Sequence, residues 1–196
     1  MAHAALSAWT LDEFFAWQER QDDRYELVDG QPLRMMAGAS NAHVAVSVNI
    51  IVQLGTQLRG KPCRPFHGDG SVQTKRGNIR RPDIGVDCGP FIAKGYKATA
   101  PRMVAEVLSP STRDFETFRK VEEYKLIGSL RRILLIDPNR PEVAVWHREE
   151  GGEWEHSLVD GIGGTIAMPE IGVALPMAEI YAGIELPADL RATPDE

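Results

Sequence analysis

The sequence is poor in cysteine. It has only Cys63 and Cys88, 25 positions apart and in no CxxC pattern. That count argues against a disulfide scaffold and against a cysteine-based zinc site, and it makes a reducing, cytoplasmic location the default expectation. Long apolar runs are also missing. The segment around Ile133 to Ile136 is among the longest, far too short to span a bilayer. The N-terminus has no basic start followed by an apolar stretch, so no secretory signal is expected. No Walker loop, HExxH, dinucleotide fingerprint or nucleophile elbow occurs. Gly161-Ile162-Gly163-Gly164 lacks a strand–helix context and reads as a turn. His3, His67, His147 and His156 are scattered without metal-ligand spacing. Ser109 and His147 could be paired on paper as a hydrolase couple, but a serine between strand and helix is ordinarily a turn or cap residue. Positive charge is in deficit as well. The net charge of −6 argues, at first sight, against a nucleic-acid partner.

What is present suits a folded domain. The chain has 196 residues, 43% hydrophobic and 26% charged, enough to bury a real core. There are no repeats, low-complexity tracts or linkers. A single domain over residues 1–186 is expected, with 187–196 a frayed tail. The charge is unevenly spread. Residues 59–102 hold ten basic and three acidic residues, a balance of +7, whereas the remainder holds 12 basic and 25 acidic, a balance of −13. Within the positive segment, Lys75, Arg76, Arg80 and Arg81 are the candidate nucleic-acid contacts.

Periodicity and punctuation give the elements. Thr10 with Glu13 reads as a capping box opening a helix that ends near Gln21. A strand over 25–28, the Asp29-Gly30 turn and a return over 33–36 form a hairpin. Ser40 or Asn41 caps a helix over 43–58, with Val44, Val48, Ile51, Val52 and Leu54 as its apolar positions. Short strands follow over 71–75 and 83–87. The mostly apolar stretch 102–108, a helix over 113–127 capped from Ser109-Pro110-Ser111-Thr112, and the apolar stretch 131–137 form a βαβ unit. A hairpin over 142–147 and 153–159 and a short helix over 176–181 complete the chain. The fold class is α/β, a mixed central β-sheet flanked by α-helices.

Two carboxylates stand out. Asp83 follows Pro82 at the mouth of a short strand, an arrangement that by itself is an ordinary turn. Glu106 interrupts the apolar run Val104-Ala105-Glu106-Val107-Leu108, where an unpaired carboxylate is expensive to bury. Its alternative is an edge position on an alternating strand, but the neighbours do not alternate cleanly. Glu26, between Tyr25 and Leu27, reads on pattern alone as the exposed face of a half-buried strand. Lys120 falls about 40° from Tyr124 around a helix, beside the apolar stripe, where a solvated lysine is the usual outcome.

In order and spacing these pieces resemble a known family. Tyr25-Glu26-Leu27-Val28-Asp29-Gly30, His43 early in a helix, Arg81-Pro82-Asp83-Ile84, the run from Ala105 to Thr112, and Lys120 with Tyr124 are similar to the Uma-type restriction endonucleases of the PD-(D/E)XK nuclease superfamily. The resemblance covers about residues 10–185 and implies a restriction-endonuclease-like fold. It implies Asp83 and Glu106 as catalytic, metal-holding carboxylates, with the Val107 backbone carbonyl as a further ligand. It implies Glu26 as an additional N-terminal acid. The superfamily lysine, expected two positions after Glu106, is replaced by Leu108. Lys120 on the following helix matches the place from which the Uma-type family supplies it. His43 matches a family position without an assigned role.

The implied activity is Mg2+-dependent hydrolysis of DNA phosphodiesters, with Mn2+ as a substitute. Magnesium takes hard oxygen ligands, typically one or two carboxylates with water and phosphate, and it activates water while neutralising developing charge. A homodimer suits the cutting of two strands. No membrane partner is expected. The rivals are a catalytically silent nuclease-fold protein that binds nucleic acid or a protein, suggested by Leu108, and a plain interaction protein.

Overall fold

The computed structural model describes residues 8–35, 38–75, 77–109 and 115–186. Helix α1 (Leu11–Gln18) starts as its sequence dictates. The Thr10 hydroxyl accepts from the Glu13 amide, and the Glu13 carboxylate reaches back to the Thr10 amide. Strands β1 (Tyr25–Val28) and β2 (Gln31–Arg34) pair antiparallel around Asp29 and Gly30, both at positive φ (50° and 77°). That conformation explains why an Asp-Gly pair occupies the turn.

Helix α2 (Asn41–Gln57) is capped by the Ser40 side chain. It buries Val46, Ile50 and Leu54. Val44, Val48 and Val52 are instead about half exposed, so the face expected from periodicity is largely the wrong one. Strand β3 (Arg64–His67), strands β4 (Val72–Gln73) and β5 (Ile79–Arg80), and strand β6 (Ile84–Asp87) follow. Strand β7 (Pro101–Val107), helix α3 (Phe115–Lys125) and strand β8 (Arg132–Asp137) form the expected βαβ unit, with β7 and β8 parallel. Its capping segment, residues 110–114, lies outside the described residues, as does the tail 187–196.

Strands β9 (Glu142–His147) and β10 (Glu155–Asp160) form the outer hairpin. Strands β11 (Thr165–Met168) and β12 (Val173–Pro176) pair with each other, and helix α4 (Met177–Ile180) closes the described chain.

The central sheet is mixed, in the order β10-β9-β8-β7-β6-β3. A smaller sheet has the order β2-β1-β5-β4. Alternation along β7 divides two cores. Met103, Ala105 and Val107 pack toward α2, β11, β12 and α4. Val104 packs with Val121, Tyr124, Ile127 and Ile133 beneath α3. Glu106 has the parity of Val104, so its side chain is directed to the α3 side.

One expectation is reversed. Cys63 and Cys88 are joined in a disulfide that ties the start of β3 to the end of β6. The two strands pair Arg64 with Asp87. The flanking cysteines are therefore set opposite each other by register, a proximity that spacing along the chain does not reveal. The cysteine pattern thus gives no support to a reducing compartment. No described helix is long and apolar enough to cross a membrane.

Candidate active site

The antiparallel register of β6 and β7 pairs Ile84 with Ala105. One step further along, it sets Asp83 opposite Glu106. The two carboxylates sit on adjacent central strands although 23 residues separate them. Asp83 is pinned at both oxygens. Its Oδ2 accepts from the Val107 amide at 2.8 Å. Its Oδ1 lies 3.6 Å from Nε2 of His43, in the first turn of α2. That contact, with burial opposing it, raises the His43 pKa above its ordinary value. The other ring nitrogen, Nδ1, is buried and has no partner among the described residues. His43 thus joins the site by touching Asp83.

Glu106 is nearly enclosed, its side chain 12% exposed. Helix α3 places two donors over it. The Tyr124 hydroxyl donates to Oε1 at 2.6 Å, and the Lys120 amine reaches both oxygens at 3.2 and 3.4 Å. Lys120 and Tyr124 are four residues apart and share a helix face. Burial pushes the Glu106 pKa up to about 7, and the Asp83 charge adds to it; Lys120 and Tyr124 oppose the rise without cancelling it. Burial acts to lower the Lys120 pKa, but the charges of Glu106 and Glu26 outweigh it and hold the amine above an ordinary lysine. Burial raises the Tyr124 hydroxyl well above its usual range, so it stays a donor.

Glu26 is buried rather than exposed, contrary to its pattern in the sequence. Strand β1 delivers it between β5 and α3. Its Oε1 accepts from the Arg81 amide at 2.9 Å and lies 3.3 Å from the Lys120 amine. Its Oε2 accepts from Arg80 at 2.8 Å. The Lys120 amine, with three N–H groups, therefore faces three oxygens of two carboxylates, the farthest being Glu106 Oε2.

The candidate nucleic-acid contacts are largely corrected. Arg80 is fully buried, and its guanidinium is bidentate to Glu123 at 2.7 and 3.0 Å while also holding Glu26. Arg81 is 8% exposed, and its guanidinium bonds to the Tyr25 carbonyl. Neither presents charge to a phosphate backbone, because each guanidinium is buried on protein acceptors. Lys75 is half exposed and pairs with Asp29 at 2.9 Å. Arg76 lies outside the described residues. Val107 contributes its amide, bonded to Asp83 as above.

Sequence reasoning missed Glu123 and gave Tyr124 no role. The available signal was the spacing Lys120, Glu123, Tyr124, which is i, i+3, i+4 on one helix.

The donor set suits a hard divalent cation. Asp83 and Glu106 offer carboxylate oxygens from adjacent strands, and burial leaves Glu106 in need of positive charge. Among the described residues no cluster of three histidine, cysteine or acidic side chains could hold an ion. Two carboxylates, completed by water and a phosphate, nonetheless match the habit of magnesium.

The chain matches the model of the Uma2 family, described as "Putative restriction endonuclease", over residues 11–178. It is 30% identical over 178 residues to "Uncharacterized protein slr1290" of Synechocystis sp., spanning 88% of this chain and 91% of that protein. Its fold is similar to the crystal structure of a "putative nuclease belonging to DUF820" from Anabaena variabilis ATCC 29413. The TM-score is 0.70 at 18% identity, over 89% of this chain and 98% of that one.

Proposed function

The chain belongs to the Uma2 restriction-endonuclease family, and on that premise we propose that it is a metal-dependent endonuclease hydrolysing phosphodiester bonds in DNA. The observation that carries the reading is the meeting of Asp83, Glu106 and Lys120 at one end of β6 and β7. In this reading Asp83 and Glu106 would hold Mg2+, or Mn2+ in its place, with the Val107 carbonyl as an added ligand. The ion supplies Lewis acidity and charge neutralisation at the phosphate.

The protein's own groups do the rest. Lys120, held as a cation by Glu106 and Glu26, turns the N–H on the farther Glu106 oxygen to the attacking water or to a non-bridging phosphate oxygen. It thereby stabilises charge that grows in the transition state. Tyr124 fixes the Glu106 carboxylate, and the Val107 amide and His43 fix Asp83. Both oxygens of Glu26 are engaged by protein donors, so Glu26 serves by holding Lys120. A lysine delivered from α3 fills the role left open by Leu108, which favours an active enzyme over a silent nuclease-fold binder. We extend the proposal to a homodimer, since a duplex presents two strands, and to the cytoplasm, where DNA is the available substrate.

The test is cleavage of plasmid DNA by protein freed of contaminating nucleases. With Mg2+ or Mn2+ the wild type is expected to cut. Asp83→Ala and Glu106→Ala are expected to lose at least about 100-fold in rate. Metal-independent cutting, or full activity in either variant, contradicts the assignment.

A further inference from the structure

Around Arg80 lies a buried cluster that the proposed chemistry does not use directly. Its guanidinium contacts two carboxylates that come from opposite sides of the fold, Glu26 on β1 and Glu123 on α3. Glu123 is itself fully occupied. Thr74 and Asn78 donate to its Oε2 at 2.9 and 3.2 Å, and Arg119 lies 3.3 Å from its Oε1. Burial acts to raise the Glu123 pKa, but the Arg80 guanidinium above all, with Asn78 and Thr74, holds it down at about 2. The cluster is thus a fixed anion, then a fixed cation, then Glu26, then Lys120, then Glu106. Every link is within 3.3 Å. Lys120, Glu123 and Tyr124 leave the same face of α3, so one helix supplies both the anion that grips Arg80 and the amine that meets Glu106.

We propose that Arg80 is a positioning residue: gripped by Glu123, it orients the Glu26 carboxylate, which in turn fixes where the Lys120 amine sits beside Glu106. The inference rests on the hydrolytic reading above and adds a residue outside the reacting groups. Its physical basis is the geometry of the two side chains that meet Glu26. Arginine offers a planar fork that can hold two carboxylates at set angles, whereas lysine is a point charge on a flexible stem. Without Arg80, the Oε2 oxygen of Glu26 loses its partner. The carboxylate is then free to turn, and Lys120 follows it away from Glu106. A fully buried Arg80 cannot reach DNA. It therefore acts on turnover and not on binding, the reverse of a phosphate contact.

The test has two arms. The first observes the Lys120 ammonium by 1H–15N NMR, assigned with Lys120→Arg. Arg80→Gln and Glu123→Gln are expected to shift or abolish that signal, while Arg34→Gln, a surface control, leaves it in place. Glu123→Gln keeps size and one acceptor oxygen while removing the charge that grips Arg80, so it reports even where Arg80→Gln melts too early. An unchanged Lys120 signal in a folded variant of either residue overturns the proposal. The second arm is steady-state cleavage. Arg80→Gln is expected to lower kcat by about 10- to 100-fold with KM within about threefold. In a Glu26→Gln background the same change is expected to cost no more than about threefold, because the two residues act through one contact. A raised KM with a shallower salt dependence and unchanged kcat marks a phosphate contact and refutes positioning. An equal loss in both backgrounds refutes it too. The NMR arm needs no turnover. A wild type that cuts nothing overturns the hydrolytic reading, while a moved Lys120 signal still supports the coupling of Arg80 to Lys120.

Discussion

Glu106 is the residue at which stability and function pull apart. The folded carboxyl keeps its proton up to about pH 7, against an ordinary value of 4.5. Between those values the folded state binds more protons than the unfolded state, so stability falls as pH rises through the window. The gap corresponds to roughly 3 kcal/mol as an upper figure. Glu106→Gln removes the ionisation and keeps the shape. Its advantage over wild type is expected to grow from near zero at pH 4 to about 2–3 kcal/mol at pH 8, read by urea unfolding across pH. Parallel curves for the two proteins would contradict the burial account. The cost is what a cation would relieve, which is why such a carboxylate fits a metal site. Glu123 shows the opposite sign. Its lowered pKa contributes stability that is present above about pH 4.5 and lost as pH falls toward 2.

At the level of elements, helix α2 shows how far periodicity reaches. It carries two apolar rows at i, i+4, i+8, namely Val46, Ile50, Leu54 and Val44, Val48, Val52. They stand on opposite faces, and a 3.6-residue period fits both. Only the neighbouring elements decide that the first row faces the core. Ile50→Ala is expected to cost about 2–5 kcal/mol. Val48→Lys is expected to change stability by no more than about 0.5 kcal/mol. Thermal or urea unfolding checks both, and equal effects would mean the rows are exchanged. The hairpin of β1 and β2, the βαβ unit and the outer hairpin of β9 and β10 were legible because turns and apolar runs act locally. Strand β3 was not, because Pro65 argues against a strand. It is tolerated there because β3 is the sheet edge. The site was half legible. Glu106 announced itself as a charge within an apolar strand. Glu26 and Arg80 did not, because Glu26 looks like half of an exposed alternation and Arg80 like part of a basic surface, and each is buried only once the small sheet docks on α3.

At the scale of the molecule, four of the ten basic residues of the +7 segment are withdrawn from a free basic surface. Arg80 and Arg81 are buried, Arg64 pairs with Asp87 and Lys75 with Asp29. Much of the segment's charge is spent inside the fold or on neighbouring acids. The net charge of −6 therefore stands as the character of the molecule. Under the proposed function, DNA binding depends on the metal and on modest local contacts, with a shallow salt dependence. The disulfide acts at this scale too, closing a loop of 25 residues that contains β3, β4, β5 and β6. Wherever the two thiols are oxidised, such a link contributes about 3.5 kcal/mol in the loop-entropy account. It also secures the edge of the sheet next to the strand that presents Asp83. The measurement closest to the central claim is a crystal grown with Mn2+ and read by anomalous scattering. The account predicts an anomalous peak at this pair, with a carboxylate oxygen of Asp83 and one of Glu106 among the ligands of the ion. An ion bound elsewhere, or none at this pair under saturating metal, would contradict it.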